Sequence, residues 1–277
     1  MKPAPFAYHA PADVEAALRL LADLGDRGRP LAGGQSLMPL LNLRLARPEA
    51  IVDLNSIAEL AYHRLEDDVL VVGALCRQRD LERDPQVLGR CAAIADALPL
   101  IGHVGIRNRG TVVGSLAHAD PAAEWPVLAL LLDATVVVAR AGGARRSIHA
   151  HDWFTGLFST DLHAGELAVE ARFPLPGPLT GTAFVEVARR HGDFALGAAA
   201  ALVRLDAAGH VIDSRLVLGG CDSVPVLATP DPDAVAAEIN PVDDIHATGA
   251  YRRKLASTLA RRALDLAERR AREAISA

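Results

Sequence analysis

Two glycine-bearing loops, far apart in the chain, constrain it more than any other feature. The first reads Leu31-Ala32-Gly33-Gly34-Gln35-Ser36-Leu37. The second runs Arg107-Asn108-Arg109-Gly110-Thr111-Val112-Val113-Gly114-Ser115 and continues through Leu116-Ala117-His118-Ala119-Asp120-Pro121. Glycine tolerates positive φ and lets backbone N–H groups approach an anion with no Cβ in the way. Successive N–H groups turned to one side form a concave anion site, and a helix that starts just afterwards adds its positive end. Each loop precedes a helix start, so the pair reads as a clamp on one diphosphate. Neither loop is a G-x-G-x-x-G or a G-x-x-x-x-G-K-[ST], which excludes the common dinucleotide and P-loop layouts.

The rest of the chain frames these loops. Asp13 can cap a helix whose apolar positions Val14, Ala17, Leu18, Leu21 and Leu24 recur at helical spacing, with Gly25 and Gly28 ending it. Pro30–Ala32 reads as a short strand into the first loop, and Ser36 precedes a helix to about Leu43. Strands are expected at 50–54 and 69–73, with a turn at Asp67-Asp68 between segments, then helices at 77–83 and 85–98. Residues 101–120 lack periodicity and hold four glycines, so they read as a long functional loop. Pro121 opens a helix to Leu132, and 135–139 is a core strand. Helix alternates with strand to about residue 173. Pro174-Leu175-Pro176-Gly177-Pro178 is the sharpest punctuation, and it sets the expected boundary between domains 1–175 and 178–277. Beyond it, 182–188, 197–205 and 211–218 look like antiparallel strands, with 206–209 a hairpin turn, and a long helix spans about 249–274. The fold class is α+β with an α/β-like N-terminal part.

Composition narrows the function. The chain has 277 residues, of which 51% are hydrophobic, enough for a large core in one or two domains. A net charge of −5 gives no reason to expect nucleic-acid binding. Cys76, Cys91 and Cys221 form no CxxC, so no iron–sulfur, zinc or disulfide framework is encoded. That composition fits a reduced, cytoplasmic setting. The start of the chain does not read as a signal peptide. The apolar run 125–139 is interrupted by Asp133 and is too short to span a bilayer.

Other side chains have two readings each. His118 and Asp120 could be a catalytic pair, or a brace for the loop and a cap for the next helix, which is the simpler reading. Glu124 could face a ribityl or ribose hydroxyl, or be a solvated first-turn acid. His149-Ala150-His151 offers metal-like residues without a third ligand nearby, so surface histidines are expected there. Arg189-Arg190-His191 is a solvated edge or a docking patch. Phe194 either covers a planar ring or belongs to the core. Arg252-Arg253-Lys254 reads as a solvated helix face. No nucleophile–base set is legible, so a bound cofactor would carry the chemistry.

Several longer stretches, taken in order, carry a resemblance. These are LAGGQSLMPLLNLRLARPEAIVDLNSIAEL (31–60), IRNRGTVVGSLAHADPAAEWP (106–126), ARRHGDFALGAAA (188–200), LGGCDSVP (218–225) and HATGAYRRKLASTLARRAL (246–264). With them the chain resembles the FAD-binding medium subunits of the molybdenum hydroxylases, the xanthine dehydrogenase and carbon monoxide dehydrogenase family. The resemblance implies an FAD-binding domain of the vanillyl-alcohol oxidase type with two subdomains, then the family's C-terminal domain, an antiparallel sheet packed with helices. It implies that FAD lies with its diphosphate between Ala32, Gly33, Gly34, Gln35, Ser36 and Leu37 on one side and Thr111, Val112, Gly114 and Ser115 on the other. Ile101 and Gly102 would line the site, Asp120 and Glu124 would lie near the sugar or ribityl chain, and Phe194 near the isoalloxazine ring. No catalytic side chain and no metal ligand is implied on this chain.

The implied function is electron transfer within a heterotrimer that pairs into a dimer. A large molybdopterin subunit hydroxylates the substrate, and a small subunit with [2Fe-2S] clusters passes the electrons to FAD. NAD, a quinone, a carrier protein or dioxygen then takes them. The alternative is a non-redox nucleotide-binding or assembly protein with the same clamp. The substrate is set on another chain, and carbon monoxide, purines, N-heteroaromatics and aldehydes all stay open. One position departs from the family, which usually has a second glycine where this chain has Val113. A β-branched residue resists positive φ, so the expectation is an ordinary backbone at 113 with the side chain turned from the phosphates.

Overall fold

The computed structural model describes residues 1–275. Near the N-terminus the local signals act as read. The Asp13 carboxylate accepts from Ala16 N at 2.7 Å, and α1 (Val14–Leu24) ends at Gly25 with φ 54°. Strands β1 (Ala7–His9), β2 (Gly28–Leu31) and β3 (Ala50–Asp53) form a parallel sheet in the order β1-β3-β2. Central β3 buries Ala50, Ile51 and Val52, as a strand covered on both faces must. The short helix α2 (Leu37–Asn42) lies on the crossover from β2 to β3.

The next sheet is antiparallel, so the alternation of helix and strand extends to a parallel sheet only in the first part of the chain. It consists of β4 (His63–Glu66), β5 (Val69–Gly73), β6 (Thr135–Arg140), β7 (Arg145–His149) and β10 (Glu166–Pro174), ordered β4-β5-β10-β6-β7. A small hairpin, β8 (Phe154–Gly156) and β9 (Ser159–Thr160), precedes β10. The helical region from β5 to β6 holds α3 (Gln78–Glu82), α4 (Pro85–Arg90), α5 (Ala92–Ala97), α6 (Val104–Arg107), α7 (Val112–His118) and α8 (Glu124–Leu131). Three expectations change here. The single helix expected over 85–98 breaks at Cys91, whose backbone is extended, because Thr182 Oγ1 captures Ala93 N at 3.1 Å. The stretch 101–120 contains α6 and α7, each too short to show periodicity. The helix expected from Pro121 begins at Glu124, because the Asp120 side chain takes Ala122 N at 2.9 Å and its carbonyl takes Ala123 N at 3.1 Å, closing a turn first.

After α9 (Ala150–Trp153) and β10, the chain builds β11 (Thr180–Ala188), β12 (Ala195–Leu205), β13 (Val211–Gly219) and β14 (Val226–Ala228), antiparallel in that order. The short α10 (Val235–Glu238) and long α11 (Gly249–Ile275) follow. Buried alanines at 256, 260, 263, 267 and 271 give α11 a flat face, and a Cβ on Gly181 would overlap the Ala267 carbonyl beneath it. Arg252 does not lie on a solvated face as expected. It is buried, and its guanidinium reaches Leu196 O (2.7 Å), Gly220 O (2.9 Å) and Asp244 Oδ2 (2.7 Å), tying α11 to the sheet. One buried cluster runs from α1 through both N-terminal sheets to α8 and takes in Phe184, Ala198, Ala200 and Val217 of the last sheet. A second lies between that sheet and α11.

Candidate functional site

The fold brings the two glycine loops into contact. A Cβ on Gly33 would overlap the Arg109 carbonyl oxygen and lie 2.8 Å from Gly110 Cα. Gly34 takes φ 73°, the turn that lets Met38 N reach Gly34 O at 3.1 Å as α2 begins. Ser36 makes no side-chain cap bond, so its hydroxyl is not committed to the helix. On the other side Thr111 caps α7 by accepting from Gly114 N at 3.1 Å. A Cβ on Gly114 would sit 2.5 Å from that hydroxyl and 4.0 Å from Ala32 Cβ. Glycine therefore stands where two backbones and a cap crowd together. The helices α2 and α7 are short, so the donors offered between the loops are the N–H groups of the turns and first helical residues.

Two residues that sequence reasoning passed over hold the loops together. Asn55 Nδ2 donates to Ala32 O at 2.9 Å, and Asn55 Oδ1 accepts from Arg77 at 2.6 Å. Arg77 donates through its other nitrogen to Arg109 O at 2.6 Å. This bridge links the first loop to the second through β3's end and the start of α3. Gln78 N adds a bond to Gly110 O at 3.0 Å, while Gln78 Oε1 is buried without a partner. Asn55 lies inside the LAGGQS-to-IAEL stretch, but nothing in its spacing marks it as a staple. Arg77 and Arg109 also put positive charge along the seam. Burial lowers the pKa of Arg77, with the Arg109 charge as the second cause.

Ile101 and Gly102 are held from behind. Arg107 is buried, pairs with both oxygens of Glu82 (2.8 and 2.9 Å), and donates to Ile101 O (2.9 Å) and Gly102 O (3.0 Å). Its hydrogen bonds hold the Glu82 carboxyl below the usual range. The 189–194 loop rests on the same segment: Gly192, at φ 84°, would bring a Cβ within 2.8 Å of Gly102 O. Phe194 on that loop is 61% exposed, so it is not a core aromatic.

Val113 lies within α7 and is 2% exposed in the main cluster, and it is absent from the residues with positive φ. Its backbone is ordinary, as expected. His118 sits with its ring centroid 5.2 Å from Phe158, and burial lowers its pKa. Asp120 caps a turn, and burial raises its pKa. Glu124, expected either near the sugar or solvated, is buried as the first residue of α8. Its pKa is pushed up to about 8, chiefly by burial and then by the Glu186 carboxylate. Glu186, on β11, is itself raised to about 7 by burial, and its Oε2 has no partner. The raised pKa favours the protonated form of Glu124 at neutral pH. Trp153 Nε1 donates to Leu116 O at 2.9 Å and fixes α7 behind the site.

A family model described as "FAD binding domain in molybdopterin dehydrogenase" matches residues 4–176. The chain belongs to this family. That match contains every residue nominated for the cofactor except Phe194. The chain is 39% identical over 289 residues to the 6-hydroxypseudooxynicotine dehydrogenase complex subunit alpha of Paenarthrobacter nicotinovorans, covering 98% of this chain and 97% of the relative. The carbon monoxide dehydrogenase structure from Hydrogenophaga pseudoflava, in a form lacking the Mo-pyranopterin moiety, superposes with TM-score 0.93 at 34% identity over 98% of this chain and 99% of that one. Quinoline 2-oxidoreductase from Pseudomonas putida 86 superposes with TM-score 0.88 at 35% identity, over 99% and 100%. As a molybdenum-hydroxylase medium chain, the protein is the FAD-containing subunit of a multisubunit oxidoreductase, and the fold expected for that family is the one observed. No helix among the described residues is long and apolar enough to cross a membrane.

Proposed function

We propose that the chain carries electrons from [2Fe-2S] clusters on a small partner subunit to an external acceptor, within a dimer of cytoplasmic heterotrimers whose large subunit holds the molybdopterin. FAD, when bound, supplies the redox chemistry, because it can exchange electrons singly or in pairs. The chain's own residues bind and orient it. The abutment of Gly33 on Arg109 and Gly110 carries this reading, since it brings the two glycine loops face to face where any Cβ would force them apart. Ala32–Leu37 and Thr111, Val112, Gly114 and Ser115 hold the diphosphate. Ile101 and Gly102, locked by Arg107, line the cleft. Asp120 and the protonated Glu124 meet sugar or ribityl hydroxyls, and Phe194 lies by the ring. Residues 1–175 form the cofactor domain and 178–277 the second domain.

The test is co-purification from the native host, followed by metal analysis and flavin spectroscopy. The expected result is a yellow complex containing iron and molybdenum, bleached by reductant. A colourless chain that ignores added FAD and purifies without metal-bearing partners overturns the proposal. Gly33→Ala should lower FAD affinity by about tenfold or more, equivalent to ~1.4 kcal/mol, as read by flavin fluorescence on dilution.

A further inference from the structure

The pair His149 and His151 lacks a third ligand in the sequence around it, but the fold supplies one. His149 ends β7, His151 lies in α9, and Asp133 occupies the turn between α8 and β6. Pairing of Thr135 with His149 and the bond from Ala150 N to Ala134 O (2.8 Å) bring the two connections together. One ligand atom from each of Asp133, His149 and His151 lies within 4.8 Å of the others. The imidazole rings are stacked, 5.5 Å apart at 28°. Asp133 is held in place by its backbone: φ is 52°, its N donates to Leu130 O at 3.3 Å, and Ala134 N donates to Ala129 O at 2.8 Å. All three side chains are exposed, and β7 is the edge of its sheet.

Electrostatics separate this cluster from another of similar composition. Around His163, the carboxylates of Asp161 and Glu166 are already engaged by Arg146 at 2.5 and 2.7 Å. Among the described residues Asp133 carries no ion pair. Arg215, which reaches the same turn, is bonded to the Leu131 carbonyl at 2.8 Å. His151 Nε2 lies 3.1 Å from Asp152 Oδ2, an arrangement that orients an imidazole and leaves its other nitrogen for a metal. Two imidazoles and one carboxylate suit borderline divalent cations such as Zn²⁺ or Co²⁺, whereas Ca²⁺ and Mg²⁺ call for oxygen ligands throughout.

The geometry points to a divalent transition-metal site formed by Asp133, His149 and His151, separate from the flavin cleft, with its remaining coordination positions open to water or to a donor from another molecule. The test uses the full FAD-loaded chain, freed of metal by a chelator, titrated with Zn²⁺ by calorimetry and with Co²⁺ by visible absorption. One saturable equivalent is expected, with Co²⁺ ligand-field bands. His149→Ala and His151→Ala should each weaken binding about tenfold or more while leaving the flavin spectrum unchanged, and His163→Ala should bind as the parent does. The proposal is overturned by an absence of saturable uptake, by uptake that survives both variants at His149 and His151, or by loss of uptake in His163→Ala.

Discussion

Glu124 shows how far a single residue's role depends on what folds against it. Its position at the start of a helix is legible in the sequence, but its burial is not, because Glu186 arrives from a strand in the second half of the chain. The folded pKa of about 8 stands above the ordinary value of 4.5. The native state therefore binds the extra proton between those values, and stability falls as pH rises from about 4.5 to 8. Glu124→Gln should flatten that fall and raise Tm at pH 8 relative to the parent, in thermal melts across that range. Val113 is the opposite case, a departure from the family pattern that the sequence alone could resolve by the cost of positive φ. Because Val113 is helical and buried, Val113→Gly should cost about 2–3 kcal/mol, roughly 1 from helix propensity and the rest from lost burial. FAD affinity should not improve, and a tenfold gain in a fluorescence titration would contradict this.

At the scale of elements, sequence reasoning located the long and strongly patterned pieces: α1, β5, the antiparallel run β11–β13, and α11. It missed β1, β4, β7, the β8–β9 hairpin, β14 and the central strand β10 of the five-stranded sheet, and also the helices inside 101–120, whose few turns are set by tertiary bonds instead of periodicity. Cys91 is instructive, since the helix breaks there to meet Thr182, and nothing local announces it. The bridge from Asn55 through Arg77 is equally silent in the sequence, because its partners are backbone carbonyls on loops remote along the chain. Arg77→Met should free Arg109 O and Asn55 Oδ1 at once. A destabilisation of about 2 kcal/mol is expected, together with faster loss of FAD on dilution, measured by denaturant titration and flavin release.

On the scale of the whole molecule, the proline-rich punctuation at 174–178 and the end of the family match at 176 coincide, yet the hydrophobic core does not stop there. Phe184, Ala198, Ala200 and Val217 belong to the same cluster as Trp125 and Val127, and Gly220 N bonds Pro121 O at 2.7 Å. A fragment ending at 176 would expose that face, so it should aggregate or bind a hydrophobic dye where the full chain does not, as read by light scattering and dye fluorescence. Arg270, in the last turns of α11, reaches back to Asp96 at 2.6 and 3.0 Å and to Thr182 O at 2.8 Å. During synthesis the segments that make the cradle leave the ribosome well before this arginine does. The buttress behind α5 thus closes only after the cradle segments have been made, because the arginine that completes it lies on a helix far downstream of them.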